Sequence, residues 1–275
     1  MECTLPPRSP LSPTADATVF ARYDVLGVRF AALQIEDVIA RAQQWIAERR
    51  GTHFVTVSNV HSVVESRHDP RFRRTLNTAD LNVPDGMPIV WLGRRRGHVL
   101  PRRVYGPDLF IEFCRDTQHK QYRHFFYGGA PDVVASLVEK LKATFPEFQL
   151  AGYHSPPFRP LTADEDRQAV EMINSASPDV LWIGLGCPKQ ELWMEQHRPL
   201  LHVPVMFGIG QAFDIYAGKL RQAPRWMREN GLEWFFRLLL EPRRLWHRYL
   251  VYNTQFILVL LGESLGARAK QQQQP

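Results

Sequence analysis

An α/β fold, with a mostly parallel sheet flanked by helices and a C-terminal helical appendage, is predicted by three observations. Six short apolar runs each end in Gly, Asn, Asp or Pro. Segments with apolar residues at helical spacing lie between most of them. The stretch 218–250 is basic and rich in aromatics and leucines.

The runs are "HFVTVSNV" (53–60), "ADLNVPDG" (79–86), "HFFYGGAP" (124–131), "FQLAGYHS" (148–155), "DVLWIGLG" (179–186) and "VPVMFGIG" (203–210). Continuous apolar runs of this length suit strands buried on both faces, as in a parallel sheet. In 131–146, Val133, Val134, Leu137, Leu141 and Phe145 fall at three- to four-residue spacing, and Pro146 stops the helix. Segment 162–178 opens with a Thr cap and acids in its first turn, and ends before Pro178. Segments 107–120 and 189–201 read in the same way. Strands alternating with such helices make a Rossmann-like sheet. The expected division is a mobile extension at 1–20, an α/β core at 21–217, a basic amphipathic appendage at 218–262 and a polar tail at 263–275.

The chain has 275 residues, 44% of them hydrophobic, enough for one large core and unlike a disordered composition. A net charge of +6 and a pI near 9.4 point to anionic partners: nucleotide phosphates, anionic lipid or nucleic acid. Cys3, Cys114 and Cys187 are scattered and show neither a disulfide framework nor zinc spacing, which fits a reducing cytosol. The N-terminus lacks the apolar core of a signal peptide. No run reaches the roughly 18–20 apolar residues of a membrane-spanning helix. A cytoplasmic protein is expected.

In a parallel α/β sheet, ligands bind at the carboxyl ends of the strands. The polar residues that close each apolar run therefore become candidates: Asn59, Asp85, Gly128 and Gly129, the span Gly184 to Gln190 (with Gly186), and Gly210 to Asp214. "WIGLGCPKQE" (182–191) is a strand, a Gly-x-Gly turn and a helix opening at Pro188. Such a turn admits a phosphate at the helix N-terminus, or is simply tight. The dinucleotide fingerprint needs a third glycine, but Lys189 and Phe213 stand where it would fall, which disfavours a nicotinamide cofactor. "YGGAPD" (127–132) reads as a turn or as a second phosphate or sugar contact. The acids 164–166 match an acid-x-acid metal–nucleotide pattern, yet a helix first turn attracts acids anyway, and no metal-ligand spacing stands elsewhere. For Asp85, local chemistry alone favours a plain Asp-Gly turn.

Segment 218–250 carries eight Lys/Arg against three acids. Arg237 and Arg244 are seven apart and share a helical face unless Pro242 breaks the helix. The segment reads as a basic surface helix, as a membrane-interface helix whose arginines meet lipid phosphates, or as one that turns arginines to a substrate diphosphate. An RNA-binding helix has the same composition.

Six blocks in order carry a resemblance. They are "SNVHSVVESRHDPRFRRTLNTADLNVPDGMPIV", "RVYGPDLF", "FFYGGAPD", "PDVLWIGLGCPKQE", "GIGQAFDIYAGKLRQAPRW" and "LEWFFRLLLEPRRL". Together they resemble the WecG/TagA/CpsF family of bacterial glycosyltransferases, which includes the GumM-type enzymes of exopolysaccharide assembly. The resemblance implies an inverting, metal-independent transferase with no cofactor. It would move a sugar from a UDP-sugar onto a polyprenyl-diphosphate-linked sugar, at an anionic membrane surface on the inner face of the cell membrane. It implies no nucleic-acid partner and leaves the sugar and the oligomeric state open. It makes Asp85 the general base, Asn59 and Gln190 substrate contacts, and Arg237 and Arg244 the arginines that close over the nucleotide diphosphate. Without it, a Rossmann-like oxidoreductase or a non-catalytic membrane- or RNA-binding protein would be the alternatives.

The chain departs from the family pattern at four places. Val57 stands where a hydroxyl residue is usual, flanked by Thr56 and Ser58. His247, with Arg248 beside it, replaces a later arginine. The usual "RAP" reads "QAP", with Arg221 displaced by one. Gln211 replaces the second glycine after "GIG".

Overall fold

Each of the six apolar runs is a strand in the computed structural model, which describes residues 20–271, without the side chains of Arg244, Arg248 and 263–271. All but the last residue of the expected N-terminal extension, and the end of the polar tail, lie outside the described residues. A hairpin comes first, β1 (Arg22–Val25) and β2 (Val28–Ala31). The runs then follow as β3 (His53–Ser58), β4 (Leu81–Pro84), β5 (Arg123–Gly128), β6 (Gln149–His154), β7 (Val180–Gly184) and β8 (Val205–Gly208). They form one six-stranded, wholly parallel sheet in the order β4-β3-β8-β7-β5-β6. The inner strands are buried on both faces, which is why they read as unbroken apolar runs, while edge strand β6 is partly exposed.

The core helices are α1 (Ile35–Glu48), α2 (Val60–His68), α3 (Pro70–Thr78), α4 (Met87–Arg95), α5 (Gly106–Thr117), α6 (Pro131–Thr144), α7 (Ala163–Ala176), α8 (Lys189–His197) and α9 (Gln211–Tyr216). Local chemistry sets their ends. Thr162 and Glu165 form a reciprocal capping box on α7, and the Asp69 carboxylate accepts from Arg71 and Phe72 N–H to open α3. Pro188 stands one residue before α8 rather than in its first turn.

Helices α1, α5, α6 and α9 pack on one face of the sheet around Phe110, Phe126, Trp182 and Phe207. Helices α7 and α8 cover part of the other face; α2, α3, α4 and the hairpin form an adjoining cluster. The chain thus leaves β3 toward one face through α2 and leaves the adjacent β8 toward the opposite face through α9. That divergence opens a crevice at their carboxyl ends, the switch point at which such sheets hold ligands.

The appendage comprises α10 (Arg225–Glu229), α11 (Glu233–Leu240), α12 (Pro242–Trp246), a π-helical turn (His247–Val251) and α13 (Tyr252–Gln271). The break expected at Pro242 is present, with Glu241 at φ −134° and ψ 59° between α11 and α12. Helical backbone continues through residues 263–271. The appendage lies on the core: Tyr252 OH donates to Glu65 Oε2 (2.8 Å), and Phe256 is buried in the cluster of the hairpin, α2 and α4. No helix among the described residues is long and apolar enough to cross a membrane.

Candidate active site

Two strand ends build the centre of the crevice. At the end of β3, Asn59 caps α2 by accepting from His61 N–H (3.0 Å) and Ser62 N–H (3.4 Å). At the end of β4, Asp85 N–H donates to Ser58 O (2.9 Å), which extends the ladder one residue past the strand. Asp85 is thereby held beside Asn59. Gly86 packs against Asn59: a Cβ there would sit at ordinary contact distance, 3.4 Å from Asn59 Cβ and 3.6 Å from its Cα.

The Asp85 side chain is only 18% exposed, and its Oδ1 is buried without a hydrogen-bond partner. Burial raises its carboxyl to about 6; Arg103 pulls it down, Glu233 pushes it up, and a hydrogen bond from Asn59 pulls it down again. At neutral pH it is mostly ionised yet more basic than an ordinary aspartate.

Arg103 completes the cluster. Its Nη1 donates to Asp85 O (3.2 Å) and lies 3.8 Å from Asp85 Oδ1, while its Nη2 donates to Glu233 Oε2. Its guanidinium lies over the Tyr105 ring at 4.2 Å. Tyr105 OH donates to Glu233 Oε1 (2.8 Å). Glu233 therefore has both carboxylate oxygens occupied by the core, although it belongs to the first turn of α11. Arg228 of α10 makes a second tie, with Nη1 donating to both carboxylate oxygens of Asp108 (3.0 and 2.9 Å).

Arg237 lies one helical turn beyond Glu233 and shares its face. Its Nη1 donates to Gln211 Oε1 (2.8 Å), so the residue that departs from the family pattern is the one that fixes this arginine. Its Nε is buried and unpartnered. The cluster opens on a cavity of about 610 Å³ lined by Asn59, Asp85, Arg103, Gln211, Glu233 and Arg237 at its polar end and by α4, α11 and α13 elsewhere.

Of the residues expected from sequence, Asn59, Asp85 and Arg237 meet at this cavity. Arg244 lies in α12, and its side chain is outside the described residues. Gln190 and the glycines sit along the same sheet edge but do not line the cavity. Gln190 is buried; its Oε1 accepts from Gly186 and Gly210 N–H (3.2 Å each) and its Nε2 donates to Glu191 Oε1 (2.9 Å). It clamps the turn after β7 to the turn after β8. Gly128 is required by packing, because a Cβ there would lie 2.7 Å from the Gly184 carbonyl. Gly129 N–H donates to Gly184 O (3.0 Å), and Gly184 packs on the Phe213 ring. Among these candidate glycines, Gly186 alone would give an added Cβ nothing within 4 Å. Near Val57, Thr56 donates to Asn82 Oδ1 (3.0 Å) and Ser58 Oγ is buried without a partner; neither lines the cavity.

The acids 164–166 have structural partners: Asp164 pairs with Arg167, Glu165 with Arg159 and the Thr162 cap, and Asp166 with His197. Among the described residues no three His, Cys, Asp or Glu side chains converge as metal ligands. Sequence reasoning did not single out Arg103 or Glu233. The signals were that both lie in blocks that carry the resemblance, Arg103 opening "RVYGPDLF" and Glu233 in "LEWFFRLLLEPRRL", and that Glu233 is one of three acids in a strongly basic segment.

Comparison with known proteins identifies the family. The profile of the glycosyl transferase WecG/TagA/CpsF family matches residues 23–270. Three similar proteins are each named N-acetylglucosaminyldiphosphoundecaprenol N-acetyl-beta-D-mannosaminyltransferase. That of Bacillus subtilis is 32% identical, over 80% of this chain and 84% of its own. That of Bacillus spizizenii is 29% identical, over 87% and 91%. That of Staphylococcus aureus is 26% identical, over 82% and 87%. The chain belongs to the WecG/TagA/CpsF family of glycosyl transferases.

Proposed function

We propose that this member of the family moves a sugar from a UDP-sugar onto a hydroxyl of a sugar carried on a polyprenyl diphosphate, with inversion and without a metal ion, in building a cell-surface polysaccharide. One observation carries the reading: a carboxylate with a raised pKa and a buried oxygen that accepts no hydrogen bond faces a cavity that also holds a guanidinium whose Nε donates none.

In the proposed reaction the acceptor oxygen attacks the anomeric carbon from the face opposite UDP. The new C–O bond forms as the bond to the diphosphate breaks, and UDP departs with the electron pair. The hydroxyl proton passes to Asp85, a general base worth roughly 10²–10⁴-fold. A value of about 6 suits the task, because the group is ionised at neutral pH and still a strong acceptor of a proton. Asn59 holds the carboxylate in place. Arg237 meets the growing charge on UDP, and Arg244 is assigned the same role from the resemblance. The acidic partners Glu233 and Asp108 keep the arginine-bearing helices seated, which excludes water from the donor.

The relatives' names make N-acetylmannosamine the first donor sugar to test and N-acetylglucosamine on a polyprenyl diphosphate the first acceptor. A lipid-linked acceptor places the reaction at a bilayer, on its cytoplasmic side where nucleotide sugars reside. The appendage suits that setting: Trp226, Leu239 and Trp246 are exposed in a segment that also carries arginines. The test is a panel of UDP-sugars with short-chain polyprenyl-diphosphate sugars, products read by mass spectrometry. A disaccharide product is expected from the parent chain, and from Asp85→Asn at a rate lower by roughly 10²–10⁴-fold. No product with any pair, or full activity in Asp85→Asn, refutes the reading.

A further inference from the structure

The cavity is chemically two-ended. Besides its polar groups, the cavity is walled largely by Met87, Trp91 and Leu92 of α4 and by Phe256, Ile257 and Leu260 of α13, with Asn253 and Thr254 of α13 also at its edge. These walls come from opposite ends of the chain, α4 from the core and α13 from the appendage. Met87 and Trp91 are four apart, as are Phe256 and Leu260, so each helix turns one ridge toward the gap. Met87 and Phe256 are buried, at 6% and 3% exposure, whereas Trp91 and Ile257 are 49% and 56% exposed. The gap therefore deepens inward from a mouth between Trp91 and Ile257. Leu250, also on the cavity wall, is half-exposed, and Leu258 and Leu261 of α13 are exposed as well. A row of exposed apolar side chains running into a cavity marks a binding surface rather than scattered surface leucines.

We propose that this slot holds the first isoprene units of the acceptor, threading the lipid from the diphosphate out between α4 and α13 into the bilayer. The inference rests on the transfer reading above and adds a site for the hydrocarbon. An acceptor of this class joins sugar, diphosphate and hydrocarbon in one line. The cavity presents the chemistries at the two ends of that line: a carboxylate for the sugar hydroxyl and apolar walls for the hydrocarbon. A soluble sugar or a free nucleotide would leave those walls facing water. Because each helix supplies one wall, the slot exists only while the appendage is seated on the core. The core thus meets the membrane through Trp91 of α4 as well as through the appendage.

The experiment compares acceptors with short, water-soluble and full-length polyprenyl chains in mixed micelles, for the full chain and for Ile257→Asp and Trp91→Ala. Both substitutions fall on half-exposed positions, and melting curves check that the fold survives. The parent should prefer the long acceptor in kcat/KM. Each variant should lower that preference about tenfold, the scale of discrimination an apolar pocket gives. A preference that holds, or activity that falls equally with both acceptors, overturns the proposal. As a second readout, a benzophenone-bearing polyprenyl diphosphate should cross-link to residues 87–92 and 256–260 of the full chain, and labelling only elsewhere overturns the slot. Labelling at both helices in a chain that transfers no sugar would support the slot and defeat the transfer reading instead.

Discussion

Replacing Asp85 by Asn should slow transfer severely and, at the same time, make the fold more stable. The second effect follows from the pKa. The folded carboxyl stands at about 6 against an ordinary 3.8, chiefly because it is buried. A carboxyl raised in the folded state stabilises the fold in its protonated form. That contribution is complete below the unfolded value and is lost as pH rises through the folded one. At ~1.4 kcal/mol per tenfold, ionised Asp85 costs the fold about 3 kcal/mol well above pH 6. Asparagine has nearly the same shape and no charge, so it relieves most of that cost. For a domain of this size ~1 kcal/mol moves Tm by about 2–4 °C, so the variant should melt roughly 5–10 °C higher at about pH 8. The advantage should shrink as pH falls and be nearly gone at about pH 4, where the parent carboxyl is protonated in the fold and increasingly so in the unfolded chain. Differential scanning calorimetry of both chains at the two pH values gives the stability. Titration with the donor nucleotide sugar should show unchanged affinity, and transfer should fall roughly 10²–10⁴-fold. A variant that melts no higher than the parent at the upper pH would refute the buried-carboxylate account. One that transfers normally would refute the role as base.

Three further outcomes are expected. Arg237→Lys keeps the charge but loses the planar fork, and kcat should drop about 10²-fold with a much smaller change in donor affinity; equal loss in both would show that the arginine binds without serving the transition state. In Glu233→Gln the negative charge that pushes Asp85 up is gone, so the acid limb of kcat/KM against pH should move below the parent's value of about 6; an unmoved limb counts against this coupling. His124 is wholly buried, accepts from Trp182 Nε1 (2.9 Å) and is held by burial at about 3 rather than 6.5. The fold cannot take a proton that the unfolded chain takes, so stability should be lost as pH falls from about 6.5 toward about 3, by at most about 5 kcal/mol. His124→Gln, which keeps an acceptor for the indole, should flatten that slope in chemical denaturation, and an equal slope would assign the acid sensitivity elsewhere.

The six-stranded sheet was legible because its inner strands are buried on both faces, which leaves an unbroken apolar run between turn-forming residues. The N-terminal hairpin was not. Its strands are four residues each, and its turn is Leu26-Gly27, both at positive φ, rather than the usual Asn-Gly or Asp-Gly. Asp85 and Asn59 were legible as strand-end residues, because chain order alone puts them at the ligand-bearing edge. Arg103 was not. It reaches Asp85 because Val104 N–H donates to Pro84 O (2.8 Å), which lays a distant loop along the end of β4. Its other partner, Glu233, is 130 residues away. Gln190 shows the converse limit. Its place at the glycine turn was correctly read, but the direction of its amide, inward to two backbone N–H groups, depends on how two crossovers meet.

The appendage cannot be treated as a membrane anchor added to a finished site. Glu233 holds Arg103 with one oxygen and Tyr105 with the other, and its charge raises Asp85. Withdrawing α11 would remove three things at once: the burial that raises the carboxyl, the neighbouring charge that adds to it, and the partner that draws Arg103 away from it. Arg103 would then have Asp85 as its nearest anion, and an aspartate paired with a guanidinium is a weak base. The slot between α4 and α13 would be lost in the same step. Basicity of the proposed base, neutralisation of the leaving group by Arg237 and shelter for the lipid thus all depend on one docked arrangement. On the proposed reading, a chain with the appendage unseated would be a poor catalyst of the side reaction such a transferase must avoid, transfer of the donor sugar to water.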